Sequence, residues 1–561
     1  MESTTGAAYL ARALHAYGVS AVFLVPTMLS KTLFEMEQLT DIKRIVTHSE
    51  KAAAYMADGY ARTKGSPGIC MAQTIGSANL AAGLRDAFLG ASPVIAMTGG
   101  PYPWSRHRAQ YQEIEDRPLF KEVAKASYVV DTVDRLPGLL SHAFNVATQG
   151  RPGPVHLELP GHSGELIDEM TMTAQLPELH EIHVPRFRVH PDPAAISGAV
   201  ERLLRASRPV IVAGGGTKAS GAAPMLREFA ELLGLPVATS LNGKDLLPAD
   251  HPLHVGIPGL YPSGNANAVV AAADLVLFIG SQAGSQVTLN WQIPPQTTDT
   301  IHVDIDPDQL GRHYPDSLPV LGDAKIVLEL LTARLAGEAS LPDFAAWRGR
   351  WSELVASWKK QAAPILASEA EPIRPERLTS ELSKALPPDA IVVADTGHAG
   401  MWAGGYLDLK HDTQSYLRAA GSLGWALPAS IGAKIAAPDR PVAMFTGDGG
   451  FWYHLSEIET AARWGVGVVM VVNNNNSLNQ EIRPFTAAYG GTLHGRHHEL
   501  WHFRDVSFKA VGEAMGIPAY RVEKPSDLSI AFDAAFAEHG PVIVEVVTDM
   551  EIMAPRGSVP A

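Results

Sequence analysis

The sequence has a single cysteine, Cys70, among its 561 residues. One cysteine cannot form an intramolecular disulfide, and such usage is typical of a reducing cytoplasm. No apolar run approaches the roughly 18 residues that a membrane span needs, and the chain does not open with a basic segment followed by an apolar core. We therefore expect a cytoplasmic protein with neither a secretion signal nor a membrane segment.

The chain also lacks an excess of positive charge. Lys and Arg number 45 against 59 Asp and Glu, which gives a formal net charge of -14. An acidic chain is not generally attracted to nucleic acid or to anionic lipid, so we expect no nucleic-acid partner and no membrane partner. A local basic pocket for a phosphorylated ligand is compatible with this balance.

Short β-branched runs, by contrast, are abundant, and they alternate with longer amphipathic segments. VSAVFLV (19–25) and PVIAMTG (93–99) have the pattern of buried strands, and the segments between such runs have helical spacing. The length and the hydrophobic content of 46% fit about three globular domains. The pattern predicts an α/β protein with three doubly wound parallel-sheet domains. The predicted segments are residues 1–180, 190–340 and 373–561, with a helical linker over 341–372.

The most informative stretch is GDGGFWYHLSEIETAARWGVGVVMVVNNNN, residues 447–476. PVAMFT before it predicts a strand, FWYHLSEIETAARW a helix and VGVVMVV the next strand. In such a βαβ unit both loops lie at the same carboxyl edge of the sheet, so Asp448 and Asn475 should be neighbours. Their carboxylate and amide oxygens, with the main-chain carbonyl of Ser477, are hard donors suited to Mg²⁺ or Ca²⁺.

The glycines around Asp448 complete a predicted phosphate site. Gly447, Gly449 and Gly450 allow the main chain to approach phosphate oxygens, and the helix beginning near Phe451 presents its N–H groups there. Mg²⁺ usually takes its other ligands from phosphate and water. Asp-Gly alone is more often a plain turn, and an asparagine run alone is usually a solvated loop. Their occurrence on both sides of one βαβ unit predicts a metal–diphosphate clamp.

Gly-Asp-Gly followed by Asn-Asn one helix and one strand later resembles the signature of thiamine diphosphate (ThDP) enzymes. The resemblance covers the whole chain and is closest to the acetolactate synthase and 2-oxoacid decarboxylase group. It implies pyrimidine-binding, central nucleotide-fold and diphosphate-binding domains in that order. It also implies ThDP and Mg²⁺ as cofactors, with Asp448, Asn475 and Ser477 as metal ligands.

The resemblance assigns cofactor contacts to a larger set in the first and third predicted domains. Glu50, in THSEKAAAYMADGYAR (47–62), would protonate the aminopyrimidine ring, and Leu423 would be the apolar wedge that bends ThDP. From the residues alone, Glu50 could instead be a first-turn helix acid that complements the helix dipole. The implied contacts are Glu50, Asn79, Gly397, His398, Ala399, Ser422, Leu423, Asp448, Gly449, Gly450, Asn475, Ser477, Leu478 and Asn479.

Two residues of the predicted substrate site indicate different reactions. Gln112, in YQE (111–113), matches the Phe-Gln-Glu of the synthases, whereas Glu481 falls where decarboxylases keep a proton-shuttling glutamate. An exposed helix glutamate is the alternative interpretation of Glu481. The implied catalytic residues are Glu50, Gln112 and Glu481. The implied substrate contacts are Thr27, Met28, Tyr111, Gln112 and Gln480.

The leading prediction is therefore decarboxylation of a 2-oxo acid with carboligation to a second carbonyl compound, an aldehyde or a ketone. The alternatives are a simple 2-oxoacid decarboxylase, a 2-hydroxyacyl-CoA lyase or acyltransferase of the same fold, and an inactive cofactor-binding homologue. A CoA enzyme would need a basic groove, and the tail MEIMAPRGSVPA offers Arg556 alone. The joint presence of Glu50, Asp448 and Asn475 argues against an inactive homologue.

Two further expectations come from the resemblance. The synthases bind FAD with an arginine-rich stretch of the central domain, but GSQAGSQVT (280–288) has no arginine, which argues against FAD. HVDIDP (302–307) and GGG (214–216) keep a nucleotide-fold pattern, so FAD or another nucleotide stays open. ThDP in this family lies between two chains, which implies a homodimer at least and, by resemblance, a homotetramer.

Overall fold

The computed structural model describes residues 2–559. It contains three six-stranded sheets, and every neighbouring pair of strands within each of them is parallel. Helices flank the sheets, so the predicted α/β class and the three parallel sheets are confirmed. Within the described range, no helix combines the length and the apolar character that a membrane crossing requires.

The first sheet is built from the N-terminal part of the chain, with a small antiparallel pair of strands beside it. Its strands are β1 (Glu2–Thr5), β2 (Ala21–Leu24), β3 (Lys43–Val46), β4 (Gly68–Ala72), β5 (Val94–Gly100), β6 (Ala126–Val129), β7 (Val155–Pro160) and β8 (Thr171–Ala174). Its helices are α1 (Gly6–Ala16), α2 (Ser30–Leu39), α3 (Glu50–Lys64), α4 (Ser77–Leu89), α5 (Leu136–Thr148) and α6 (Glu165–Glu169). The six-stranded order is β3-β2-β4-β5-β7-β6, and β1 pairs with β8.

The central sheet follows. Its strands are β9 (Pro209–Ala213), β10 (Val237–Thr239), β11 (His254–Gly256), β12 (Leu275–Ile279), β13 (Asp299–Asp304) and β14 (Leu318–Leu321). Its helices are α7 (Pro193–Arg205), α8 (Gly215–Ala219), α9 (Ala223–Leu233), α10 (Ala266–Ala272) and α11 (Ala324–Ala336). The order β11-β10-β9-β12-β13-β14 is the doubly wound order of nucleotide-binding folds.

A 22-residue helix, α12 (Ala345–Leu366), leads to the third sheet and packs on the central one through buried Trp347 and Trp351. The third set of strands is β15 (Ile391–Ala394), β16 (Ser415–Arg418), β17 (Val442–Gly447), β18 (Val468–Asn474), β19 (Ala519–Val522) and β20 (Val542–Val547). The helices are α13 (Pro375–Ala385), α14 (Gly397–Tyr406), α15 (Ala426–Ala436), α16 (Asp448–Trp452), α17 (Glu457–Arg463), α18 (Ile482–Ala488), α19 (Phe508–Ala514) and α20 (Leu528–Ala537). The order is β16-β15-β17-β18-β20-β19.

One hydrophobic core is shared by the first and third sheets, and α3 and α15 cross at its centre. α3 begins where Ser49 caps it by accepting the N–H of Ala52, and it ends at Gly65 in the left-handed conformation. Its buried face is rich in alanine, which allows a second helix to approach closely. A Cβ on Gly59 would lie 2.0 Å from the carbonyl oxygen of Ala429, so only glycine fits at the crossing.

The segment after β17 differs from the single predicted helix. It forms two short helices, α16 and α17, separated by a turn at 453–456. In this turn Tyr453 packs against Gly424, and a Cβ added to Gly424 would lie 2.4 Å from the Cβ of Tyr453. The interruption between α16 and α17 therefore allows this turn to contact the loop that precedes α15.

Candidate active site

The two loops of the predicted clamp meet at the carboxyl edge of the third sheet. β17 and β18 are adjacent, and Gly447 pairs in register with Asn473. Asp448 is the first residue of α16, and the N–H of Ser477 donates to its Oδ2 at 2.8 Å. The structure thus brings together the three predicted metal ligands Asp448, Asn475 and Ser477.

The four asparagines have different roles. The sequence had predicted all four asparagines beyond the end of this strand. Asn473 and Asn474 instead belong to β18. Both are buried and bonded, since Asn473 accepts from Thr548 Oγ1 at 2.6 Å and Asn474 donates to Glu545 at 2.8 Å. Among the described residues, the Asn475 Oδ1 atom is buried without a hydrogen-bond partner. Of these three asparagines, Asn475 is the one with an unbonded buried oxygen.

These groups fit a bound cation. Asp448 is 2% exposed, and burial raises the pKa of its carboxyl to about 7, so its charged form lacks the stabilisation that water would give. An unpaired buried amide oxygen is also unfavourable. A hard divalent ion would compensate both groups. In residues 2–559 no three His, Cys, Asp or Glu side chains form a metal-binding group, so the clamp offers one carboxylate and neutral oxygens.

The three glycines of GDGG differ in the space around them. A Cβ on Gly447 would meet nothing within 4 Å, which leaves open space beside the clamp. A Cβ on Gly449 would lie 2.4 Å from Leu478 Cδ2, and one on Gly450 would lie 2.7 Å from Thr446 Oγ1. Gly449 and Gly450 are therefore required by packing around the clamp, and Gly447 borders the space that a diphosphate would occupy.

His398 and Asn479 form a fixed pair on the same edge. His398 Nδ1 lies 2.6 Å from Asn479 Oδ1, and Asn479 Nδ2 donates to the carbonyls of Met550 and Ile552. Because both amide hydrogens face carbonyls, Nδ1 of the histidine must be the donor in this pair. Burial lowers the pKa of His398 to about 4, so the ring is neutral and its Nε2 is an acceptor.

Three other predicted contacts converge next to this pair. Gly397 has a φ of 65°, and a Cβ there would lie 3.2 Å from Gln480 Oε1 and 3.8 Å from Leu423 Cδ2. Gln480 Oε1 is buried without a partner among residues 2–559. Ser422 and Leu423 are half-buried, whereas Ala399 is 4% exposed and packs into the core behind the edge.

Glu50 forms a second half-site in the first domain. It is the first residue of α3, and its Oε2 accepts from Asn79 Nδ2 at 3.1 Å. Gly76 allows this position, because a Cβ there would lie 2.6 Å from Glu50 Oε1. Asn79 is exposed and Glu50 is half-buried, so the carboxylate is oriented but accessible.

Within one chain the two half-sites do not face each other. α3 and α15 cross in antiparallel fashion, since Asp58 bonds to Trp425 at the start of α15 while Met56 contacts Gly432 further along it. Glu50 lies eight residues before Asp58, about 12 Å along the helix. The glutamate is therefore at the end of α3 opposite to the one that contacts Trp425, and its hydrogen bond comes from its own domain.

The predicted substrate residues lie in two domains and differ in exposure. Thr27 is exposed, whereas Met28 is 1% exposed and lies in the core of the first domain, beneath the surface rather than at it. Tyr111 is 78% exposed, and Gln112 adopts a φ of 58° in the loop after β5. Gln480 lies at the clamp, and the next residue, Glu481, is half-buried just before α18.

A residue that the sequence analysis missed is Asp395, at the end of β15. It is 2% exposed and accepts from the N–H of Gly424 with both oxygens at 3.1 Å and from Thr446 Oγ1 at 3.2 Å. It thereby ties the Leu423 loop to the strand that precedes Asp448. The signal was present, because an acid directly after a buried strand and before Gly397 lies at the ligand edge of the sheet.

The central sheet has a crevice at its own switch point, between β9 and β12. The cavity there, bordered by Gly216, Gly280, Asp304 and Asp323, has a volume of about 50 Å³, which suits one or two water molecules. The N–H of Gly216 donates to the carbonyl of Gly280 at 2.8 Å, so this group is not free for a phosphate. The central sheet therefore offers no free Gly216 N–H to a phosphate, and GSQAGSQVT (280–288) offers no arginine.

Comparisons with known proteins find relatives over most of the chain. The chain matches three family models, described as the N-terminal TPP binding domain, the central domain and the C-terminal TPP binding domain of thiamine pyrophosphate enzymes, over residues 4–119, 196–331 and 395–546. It is 32% identical to a probable acetolactate synthase large subunit of Methanocaldococcus jannaschii, covering 97% of this chain and 92% of the relative. It is 30% identical to the acetolactate synthase large subunit of Corynebacterium glutamicum, covering 97% and 87%.

Proposed function

The chain belongs to the thiamine pyrophosphate enzymes related to acetolactate synthase large subunits, and on that premise we propose that it decarboxylates a 2-oxo acid and joins the remaining acyl unit to a second carbonyl compound. The observation that carries the proposal is the meeting of Asp448, Asn475 and Ser477 at one sheet edge, beside the open space at Gly447. ThDP, when bound, supplies an electron sink for the loss of CO₂.

The third domain would hold the diphosphate end of the cofactor. Asp448, Asn475 and the carbonyl of Ser477 are the groups that would bind Mg²⁺, whose other ligands would be phosphate and water. His398 would accept or relay a proton through its unprotonated Nε2. Leu423 would support the cofactor from below, since it lies against Gly397 rather than within the core.

Glu50 would hold the proton on the aminopyrimidine ring. Its carboxylate is oriented by Asn79 and enclosed on one side by Gly76, so it points in a fixed direction.

A second copy of the chain would complete each site. Support comes from the separation of the two half-sites within one chain and from exposed apolar residues near Glu50. Ile75, next to Gly76, is 50% exposed, and Tyr111, which is 78% exposed, lies against His162, whose carbonyl accepts the N–H of Thr74. Apolar side chains clustered at an incomplete site favour coverage by a partner surface. The proposed assembly is a homodimer at least, with a homotetramer as the expectation from resemblance.

A simple 2-oxoacid decarboxylase is the second candidate. Glu481 follows Gln480, which lies beside Gly397, and in this candidate it would deliver the proton that releases an aldehyde. Gln112 supports the ligase instead, because it belongs to the loop that leaves the carboxyl end of β5 on the Glu50 side.

A product screen separates these candidates. Pyruvate and a panel of 2-oxo acids would be incubated with ThDP and Mg²⁺, with and without added aldehydes, and the products identified by mass spectrometry. We expect 2-hydroxy ketones or 2-hydroxy acids as the main products. Free aldehyde alone would favour the decarboxylase, and no ThDP-dependent product from any 2-oxo acid would overturn the proposal.

A further inference from the structure

The loop that carries Ser422 and Leu423 is fixed by the first domain of its own chain. Asp86, in α4, is 1% exposed, and its Oδ1 accepts from the N–H groups of Ala420 at 2.5 Å and Gly421 at 3.3 Å. Backbone N–H groups bonded to a buried carboxylate form strong hydrogen bonds. Asp86 thus determines where the loop begins.

The other end of the loop is held by Asp58. This residue is fully buried in α3, and its Oδ2 accepts from the indole Nε1 of Trp425 at 2.9 Å. Arg62 pairs with the same carboxylate at 2.7 and 2.8 Å and donates to the carbonyl of Arg418 at 2.9 Å. Its guanidinium also lies 4.9 Å from the centre of the Trp425 ring. The ion pair is compensated only while these partners stay in place.

The residues between these anchors are the ones that face the site. Ser422 and Leu423 are half-buried, whereas Trp425 is fully buried. Asp395 holds Gly424 from the third domain, as described above. Leu423 is therefore placed by carboxylates from two domains, and two of the three come from α3 and α4.

α3 consequently reaches two different places. Its first residue, Glu50, lies about 12 Å along the helix from Asp58 and does not face the Leu423 loop. Asp58 and Arg62, in the later turns, contact that loop directly. One helix thus presents a carboxylate to one site and a positioning pair to another.

We propose that Asp58, Arg62 and Asp86 are positioning residues that shape the cofactor loop of their own chain, while Glu50 of the same domain serves the site completed with a second copy. This inference rests on the proposed function. It assigns each active site three contributions: the clamp of one chain, the buried carboxylates of that chain's first domain, and Glu50 of the other chain.

Mixed dimers test the assignment. Chains with different affinity tags would be co-expressed, and dimers with one copy of each purified. With Glu50→Gln on one chain and Asp86→Ala on the other, both changes affect the same site, so about half of the wild-type activity should remain. With both changes on one chain beside a wild-type partner, each site has one defect, and activity should be nearly lost when ThDP is kept too dilute to saturate the weakened site. Equal activity of the two arrangements, or the reverse order, would overturn the inference.

Cofactor binding gives a readout that does not depend on turnover. Titration of ThDP with Mg²⁺, followed by tryptophan fluorescence and calorimetry, should show roughly tenfold weaker binding in Asp86→Ala and a smaller loss in Asp86→Asn. Trp425→Phe, which keeps an aromatic side chain but removes the Nε1 donor, should also weaken binding. Unchanged affinity in all three variants would contradict the positioning role.

Asp274→Ala is the matched control, because Asp274 also accepts two consecutive N–H groups, those of Ser207 and Arg208, but in the central domain. It should lower thermal stability without changing ThDP affinity. If Asp86→Ala does not fold, Asp86→Asn and Trp425→Phe decide the question. A wild-type protein that neither binds ThDP nor converts any 2-oxo acid would contradict the proposed function, whereas a functional wild type with the wrong pattern in mixed dimers would contradict this inference alone.

Discussion

The first and third sheets have the same architecture and different chemistry. Numbered within each sheet, both follow the strand order second, first, third, fourth, sixth, fifth. α3 and α15 occupy the same topological position, between the second and third strands. Their crossing is reciprocal, since a Cβ on Gly59 would meet Ala429 and a Cβ on Gly432 would meet Met56. The chain therefore contains two copies of one scaffold, related by a local two-fold arrangement.

The equivalent positions show where the copies differ. Gly59 and Gly432, and likewise Met56 and Ala429, are each 373 positions apart, and the same offset relates Glu50 to Leu423. One copy thus has a carboxylate where the other has the proposed apolar wedge. The loop after the third strand carries Gly76 in the first sheet and Asp448 in the third. The same edges of one scaffold would then hold opposite ends of a cofactor.

Replacement of Glu50 should have the largest effect. Glu50→Gln removes the exchangeable carboxyl proton but keeps the side-chain shape, so turnover should fall by about 10² to 10⁴-fold. ThDP affinity, measured by calorimetry, should change little. Glu376→Gln, at another glutamate in the first turn of a helix, is the control and should leave turnover unchanged. Wild-type activity in Glu50→Gln would remove Glu50 from the mechanism.

Loss of the Asp448 carboxylate should weaken cofactor binding, whereas loss of the Glu50 carboxyl should slow turnover. Asp448→Asn keeps the volume but removes the only carboxylate of the proposed Mg²⁺ site, so Mg²⁺-dependent ThDP affinity should fall at least roughly 100-fold. Asn474→Asp, at a buried asparagine that bonds to Glu545 instead, is the comparison and should chiefly lower stability. Calorimetric titration in the presence of Mg²⁺ and of a chelator measures the difference. Chelator-insensitive binding would contradict the clamp.

The reciprocal helix crossing predicts equal losses of stability. Gly59→Ala and Gly432→Ala would each place a methyl group about 2 Å from a backbone oxygen, which should cost about 2 to 3 kcal/mol of the free energy of unfolding. Gly349→Ala, in α12 with no atom within 4 Å, should be neutral or slightly stabilising. Urea unfolding measures all three. A clear inequality between the first two would break the symmetry argument.

Leu423 should show a smaller catalytic effect than Glu50, its equivalent. Leu423→Ala removes a half-exposed side chain, so stability should change little, while turnover should fall roughly tenfold because the cofactor loses support. Leu423→Met, which keeps a long apolar side chain, should retain most of the activity. Steady-state rates and thermal melting separate the two properties. Equal activity of both variants would show that no wedge is needed.

The central sheet should contribute least. Because its crevice holds only about 50 Å³, added FAD should change neither the melting temperature nor the turnover rate. The purified protein should show no flavin absorbance. Bound flavin at stoichiometric amounts would show that the crevice opens.

Much of this site could be predicted from the sequence because its determinants are local. A strand followed by Gly-Asp-Gly-Gly, and the next strand followed by asparagines, must place Asp448 and Asn475 at one edge of a parallel sheet. The partners of these polar groups, by contrast, come from distant parts of the chain. Asn473 and Asn474 look identical to Asn475 in the sequence, but Thr548 and Glu545 from distant segments use them.

The buried carboxylates escaped prediction for the same reason. Asp58 in ADGYAR and Asp86 in α4 have the sequence pattern of ordinary helix acids. Their role exists only because α15 and the Leu423 loop pack on them from more than 300 residues away. Met28 shows the opposite case, since it was expected at a substrate surface and the structure places it in the core.

The sequence by itself determined the three parallel sheets, the meeting of Asp448 and Asn475 at one sheet edge and the glutamate at the start of α3, because strand periodicity and turn chemistry act over a few residues. Tertiary structure alone decided that Glu50 and Leu423 occupy equivalent positions, and which carboxylates hold the Leu423 loop. Those facts depend on the crossing of two helices, and a crossing is set by packing between distant segments rather than by either segment's own pattern.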